Sequence, residues 1–352
     1  MKELEMNLEE IDSALAKLIR LRLEFVRNRP SSQAVTDESL RESLQKVAEI
    51  DLSLDADRSV VQRGLGYIAA LTYCAGVRPV AVAFLGPEHS YSDSAARKYF
   101  GTAESMQPVR SIRAVFEEVE RGQAHYGVVP IENSTDGRIV DTMTNFIARP
   151  IQICGEILLP IHHNLLSNSP RSEIRKVYSK PQALSQCRQW LSDHLANAQC
   201  IEVSSTTEAA RIAKQETGSA AVASIDAAIQ YGLQVICESI EDHPDNTTRF
   251  AIIGKESPPP TGKDKTSLLF QVPHCPGALA DAMVLFKKNG INLTWIESFP
   301  VPASPSEYYF FVELEGHRDQ PELASAIAQL KSNAIRLDVL GSYPRGSATL
   351  DG

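Results

Sequence analysis

The stretch VAVAFLGPEHSYSDSAARKYF, residues 80–100, decides how the chain is read. Val80 to Leu85 form an apolar run that is short for a helix, the pattern of a strand buried on both faces. Gly86-Pro87 breaks the run, and residues 93–100 follow as a helix. Working outward, the same alternation returns. Residues 125–131 read as a strand before a helix at 139–147. Residues 176–178 precede a helix from Gln182, residues 199–203 one from Glu208, and 220–223 and 251–253 are further strands. The pattern predicts a doubly wound α/β body in two lobes, over residues 79–256.

Two flanking segments obey other rules. Leu4, Leu8, Ile11, Leu15, Leu18 and Phe25 recur at spacings of three and four, an apolar helical stripe, and residues 1–77 read as an all-α module of three helices. Arg22 sits on that stripe, either with its head in solvent or as a cation awaiting an anion. At the other end the polar, proline-rich residues 257–264 read as a linker. Residues 265–346 then alternate βαββαβ, which predicts an α+β ferredoxin-like domain.

Composition narrows the function. The 352 residues are 43% hydrophobic and 22% charged, with 44 acidic residues against 35 Lys and Arg and a net charge of −9. That balance argues against nucleic acid and against a membrane as the partner. No apolar run reaches the ~20 residues of a membrane span. Cys74, Cys154, Cys187, Cys200, Cys237 and Cys275 lie far apart, so neither a disulfide framework nor a structural metal is expected, and the predicted compartment is the cytoplasm.

Three loops of the central body share one construction, in which a strand ends, small polar residues follow and a helix begins: residues 86–92, with Ser90 and Tyr91; residues 132–137, Glu132-Asn133-Ser134-Thr135-Asp136-Gly137; and residues 204–208, with Ser205. Free N–H groups at helix N-termini seat carboxylates or phosphates, although Ser205 with Glu208 also reads as a plain capping box. A fourth element, Asn246-Thr247-Thr248-Arg249-Phe250, offers a hydroxyl for a leaving oxygen and a guanidinium for a carboxylate. No phosphate loop, HExxH or nucleophile elbow occurs.

The runs "FLGPEHSYSDSAA", "GVVPIENSTDG", "YSKPQALSQC" and "NTTRF" resemble, in order and spacing, the prephenate dehydratase family. The resemblance implies a lyase that removes water and carbon dioxide from prephenate to give phenylpyruvate, on a two-lobed body like that of periplasmic binding proteins, without cofactor or metal. It places the family's threonine at Thr248, polarising the departing hydroxyl, and Asn133, Ser134 and Gln186 around the substrate, with Arg249 on a carboxylate. Glu132 is either the proton reservoir or a carboxylate that fixes its loop. An arogenate dehydratase and a non-catalytic metabolite sensor are the alternatives.

"PGALADAMVLFKKNGINLTWIESFP" resembles the ACT regulatory domain, which implies phenylalanine as effector between two subunits of a homodimer or homotetramer. Gly277, Ala278, Leu279, Asn292, Leu293, Glu297 and Ser298 are the matching positions, and Phe299 stands where that family has arginine. "EEIDSALAKLIRLR" resembles a chorismate mutase domain. Its expected catalytic positions carry Glu5, Arg41 and Tyr73, and an acidic residue at position 5 has the wrong sign for a dianionic substrate, so little mutase activity is expected.

Overall fold

The computed structural model describes residues 80–101, 105–135, 137–301 and 304–346; the helical module expected in residues 1–77, with Glu5, Arg22, Arg41 and Tyr73, lies outside the described residues. The first lobe runs β1 (Ala81–Leu85), α1 (Tyr91–Phe100), β2 (Ser105–Val109), α2 (Ile112–Arg121), β3 (Tyr126–Asn133), β4 (Gly137–Arg138), α3 (Val140–Ala148) and β5 (Gln152–Pro160). The apolar run at the start becomes β1, whose first four residues are buried. It is paired in parallel on both sides, with β2 and β3.

The second lobe contains β6 (Asn164–Ser167), β7 (Lys176–Ser179), α4 (Pro181–Gln186), α5 (Arg188–His194), β8 (Gln199–Glu202), α6 (Thr206–Gln215), β9 (Ser219–Ala223), α7 (Ile225–Tyr231) and β10 (Gln234–Cys237), with its sheet in the order β10-β6-β9-β7-β8. The chain then returns through β11 (Thr247–Gly254), which inserts antiparallel between β3 and β5 of the first sheet. Two adjacent crossings therefore join the lobes, and Ile161 N–H donates to the Asn246 carbonyl between them at 2.8 Å.

The C-terminal unit is β12 (Asp264–Gln271), α8 (Ala278–Lys288), β13 (Leu293–Val301), β14 (Ser304–Glu315), α9 (Pro321–Asn333) and β15 (Arg336–Pro344), in the sheet order β13-β14-β12-β15. All its pairings are antiparallel, the ferredoxin-like arrangement. One face carries both helices over Leu268, Phe270, Phe286, Val312 and Leu330. Residues of the other face, Leu269, Phe299, Phe311, Leu340 and Tyr343, share a single core with Ile131, Met143, Phe146 and Ile153 of the first lobe.

Burying each large side chain contributes roughly 1.5–3 kcal/mol, so this sheet is fixed to the lobe rather than tethered to it. Phe299, where arginine was expected, is one of these docking residues, with the Arg138 guanidinium stacked over its ring at 5.0 Å. Backbone meets backbone at the seam. A Cβ on Gly341 would lie 2.1 Å from the Ile153 carbonyl oxygen, so only glycine fits there.

One expected feature is corrected. Residues 132–137 do not lead from a strand into a helix. Glu132 and Asn133 are still in β3, which turns back through β4, and α3 starts at Val140 without a side-chain cap.

Candidate active site

A crevice of about 520 Å³ opens between the lobes. Three helices point their N-termini at it, each for a local reason. Ser90 caps α1 by accepting from Asp93 N–H, Ser111 caps α2 through Ala114, and Ser205 caps α6 through Glu208. All three caps line the crevice, with Tyr91 beside the first, so positive helix ends face one volume. Arg110 and Lys180 line it as well, both exposed, and neither has an ion-pair partner among the described residues. The crevice is built for a small compound with more than one negative charge.

Its floor is the pair of antiparallel strands β3 and β11. Asn133 stands opposite Thr248, and Glu132 opposite Arg249. Successive strand residues point to opposite faces, so Asn133 and Thr248 face the crevice while Glu132 and Arg249 turn away from it. A bulge beyond Arg249 puts Phe250 opposite Pro130, and both of these line the crevice too.

Hydrogen bonds fix the proton direction at Thr248. Thr135 N–H donates to Asn133 Oδ1 at 3.0 Å, so the other amide atom of Asn133 is its nitrogen. That Nδ2 donates to Thr248 Oγ1 at 2.8 Å and to Asn246 Oδ1 at 2.9 Å. With its oxygen accepting from Asn133, the Thr248 hydroxyl keeps its own proton to give to a ligand. The network runs on, since Asn246 Nδ2 donates to Gln186 Oε1 at 3.1 Å and His163 Nε2 lies 2.8 Å from the same oxygen.

The model of the family "Prephenate dehydratase" matches residues 82–258, the part that forms this crevice. The chain belongs to the prephenate dehydratase family. It is 38% identical to a bifunctional chorismate mutase/prephenate dehydratase of Aquifex aeolicus, over 98% of this chain and 98% of that protein. Among solved structures, the prephenate dehydratase of Arthrobacter aurescens in complex with L-Phe is 31% identical with a TM-score of 0.71, covering 77% of this chain and 91% of that one. A protein described as a quorum-quenching acylase, GqqA, is 30% identical with a TM-score of 0.69, over 75% of this chain and 98% of that one.

Against the positions expected from the sequence, Thr248, Asn133, Gln186, Ser90, Tyr91 and Ser205 come together around the crevice. Ser134 does not line it and acts as a brace, accepting from Thr247 N–H at 2.9 Å. Arg249 does not face the crevice. Its guanidinium is buried on the opposite side of β11, bonded to Glu313 of β14 at 2.6 Å and to Glu156 of β5 and Glu132, each at 3.1 Å.

Trp295 stacks on the Arg249 guanidinium at 4.7 Å, and Lys265 completes the cluster 3.0 Å from Glu156. Burial works against the Arg249 charge, but the Glu313 and Glu156 carboxylates and Tyr343 outweigh it and hold the guanidinium pKa above its usual value. Glu132, expected as proton reservoir or loop-fixing carboxylate, lies on this same face and pairs with Arg249.

Arg110 and Lys180 are the cationic side chains that line the crevice where Arg249 was expected. Sequence reading passed over Arg110, although it directly precedes the cap of the amphipathic helix SIRAVFEEVE. His163 was passed over as well, and nothing local in the IHHN run singles it out.

At the effector positions, Gly277, Ala278 and Leu279 begin α8, with φ +87° at Gly277, whereas Asn292 and Leu293 follow its far end. Glu297 reaches the first lobe, paired with Arg138, and the neighbouring Ser298 is exposed.

Proposed function

We propose that the crevice binds prephenate and expels water and carbon dioxide from it, giving phenylpyruvate. The two carboxylates meet Arg110, Lys180 and the capped helix ends, which hold the ring hydroxyl over Thr248. Loss of carbon dioxide makes the ring aromatic and supplies the driving force, so the site's work is positioning and helping the hydroxyl depart. The observation that carries this reading is the bond from Asn133 Nδ2 to Thr248 Oγ1, which leaves Thr248 as a donor toward the leaving oxygen.

The hydroxyl's own pKa is far too high for it to be the proton source, so its hydrogen bond polarises rather than protonates. In place of a serine–histidine pair for acyl transfer, His163 has its two ring nitrogens on Gln186 and Tyr91. Prephenate and arogenate offered together, with carbon dioxide and both aromatic products followed, test the reading; no product from either refutes it.

The C-terminal unit acts in this reading as an ACT domain that binds phenylalanine between two copies of the chain, in a cytoplasmic homodimer or homotetramer. Gly277–Leu279 and Asn292–Leu293 flank an α8 of 11 residues, about 16 Å at 1.5 Å per residue, too far for one amino acid to touch both within one chain. Support comes from the Arthrobacter relative, whose structure was determined with L-Phe. Phenylalanine binding that leaves activity unchanged would remove the regulatory half of this reading.

A further inference from the structure

With Glu132 turned away, the leaving hydroxyl still needs a proton, and the crevice wall holds a group placed to deliver one. His163 is 2% exposed. Its hydrogen bonds can be assigned from the amides around it. Asn246 Nδ2 donates to Gln186 Oε1, so that atom is an oxygen, and His163 Nε2, 2.8 Å away, must carry a proton to bond to it. In the neutral ring, Nδ1 is then a bare acceptor, 3.1 Å from Tyr91 Oη.

Tyr91 has one proton and two acceptors to serve, because its Oη also lies 2.7 Å from the His162 carbonyl oxygen. A neutral His163 leaves one of those contacts without a hydrogen. A second proton on the ring resolves the conflict, with Nδ1–H pointing to Tyr91 Oη and Tyr91 O–H to the His162 carbonyl. The contacts describe a place for a proton, with both residues on the crevice wall.

The charged and titratable groups facing this pair come from several elements. Glu241 accepts from the His163 backbone N–H at 2.9 Å and lies 2.8 Å from His162 Nδ1. Asp226 of α7 and Cys187, between α4 and α5, face Tyr91, and Arg110 and Lys180 share the crevice wall. Burial holds the His163 pKa below its usual value, with His162 adding to it and the Gln186 hydrogen bond and Glu241 pulling the other way. Burial and the neighbouring acids keep Tyr91 well above the usual phenol range, so it retains its proton until one is drawn from it. A substrate with two carboxylates adds negative charge beside the ring and moves the balance toward the protonated form.

We propose that His163 and Tyr91 are the acid of the dehydration: with substrate bound, the Tyr91 O–H turns from the His162 carbonyl to the departing ring hydroxyl and passes its proton there, and His163 Nδ1–H replaces it. The carbon–oxygen bond breaks with its electron pair on oxygen, which leaves as water. The bond to the ring carboxylate breaks with its pair entering the ring, and carbon dioxide departs. His163 ends neutral and regains one proton from solvent when the next substrate binds. Thr248 stabilises the same leaving oxygen and stays protonated throughout. This proposal rests on the crevice being the prephenate site.

The test is kcat and KM for prephenate across pH in the native chain, His163→Gln and Tyr91→Phe, each checked for native secondary structure. In the native chain kcat falls with rising pH as the ring in the complex loses its second proton. In His163→Gln that limb disappears and kcat is about 10²-fold lower or more, the usual range for a lost general acid. Tyr91→Phe loses kcat to a similar degree with KM within a few-fold. Native-like kcat and an unchanged pH limb in folded His163→Gln, or full turnover in Tyr91→Phe, overturns the relay and leaves the site reading standing. A native chain that does not turn over prephenate overturns the site reading and the relay with it.

Discussion

Replacing Arg249 with leucine separates its two possible jobs. In the structure the side chain faces away from the crevice. It neutralises Glu313 and Glu156, whose side chains are 1% and 2% exposed. Two cations, Arg249 and Lys265, face three carboxylates, so the cluster already carries one net negative charge, and Arg249→Leu makes it two. Removing one partner of a buried ion pair costs about 3–5 kcal/mol, because the remaining charge stays desolvated.

Lys265 remains, 2.9 Å from Glu156 and 3.5 Å from Glu313, which puts the expected loss near the lower end, about 3 kcal/mol. At ~2–4 °C per kcal/mol for domains of 150–250 residues, the melting temperature falls by about 6–12 °C. The assay is denaturant and thermal unfolding beside prephenate kinetics below the transition, where KM stays within a few-fold of native. The double change Arg249→Leu with Glu313→Leu is less damaging than the single one, since it removes the stranded charge along with its partner. Unaltered stability together with a tenfold rise in KM would refute this account and return Arg249 to the substrate.

Other expectations come from the crevice and from burial. Thr248→Val lowers kcat by about 10²–10³ with little change in KM, since a leaving-group hydrogen bond strengthens mainly in the transition state; near-native turnover would remove Thr248 from the mechanism. Arg110→Ala and Lys180→Ala raise KM more than they lower kcat, because a carboxylate pair is present in ground and transition states alike, and steady-state kinetics separates the two. Among the cysteines of the described residues, alkylation at pH 8 followed by peptide mapping modifies the exposed Cys200 and Cys275 first; Cys154 lags, its buried thiol pushed up to about 12 and thus almost free of thiolate.

Much of the fold was legible because its signals are local. β1, the helix after it, and the βαββαβ order of residues 265–346 follow from apolar runs, breakers and caps, and the structure moves their ends by a few residues. The strands β2, β4, β5, β6 and β10 were not read. β2 contains a proline, and β5 is interrupted by Gly155, so neither has the uniform pattern of β1.

The site was legible as a set of motifs but not as a set of directions. Thr248 and Arg249 are neighbours on one strand, and the alternation of strand side chains forbids both from facing the crevice. That rule was available once Thr248 was chosen, and it would have turned Arg249 and Glu132 away together. What no local pattern could supply is the partner waiting on the far side, because Glu313 is 64 residues from Arg249.

The seam at Gly341 and Phe299 also bears on how the chain is divided. Residues 257–264 look like a place to cut, and a sequence-based map would treat residues 265–346 as an exchangeable cassette. Yet the cassette supplies Leu269, Phe299, Phe311, Leu340 and Tyr343 to the core beneath β3 and β5, and one carboxylate to the strand that bears Thr248. A foreign sensor domain grafted at that linker would have to bring a matching apolar face, a glycine where β15 meets Ile153, and an acid at the position of Glu313. Evolution can therefore retune what this unit binds on its helical side far more freely than it can replace the unit.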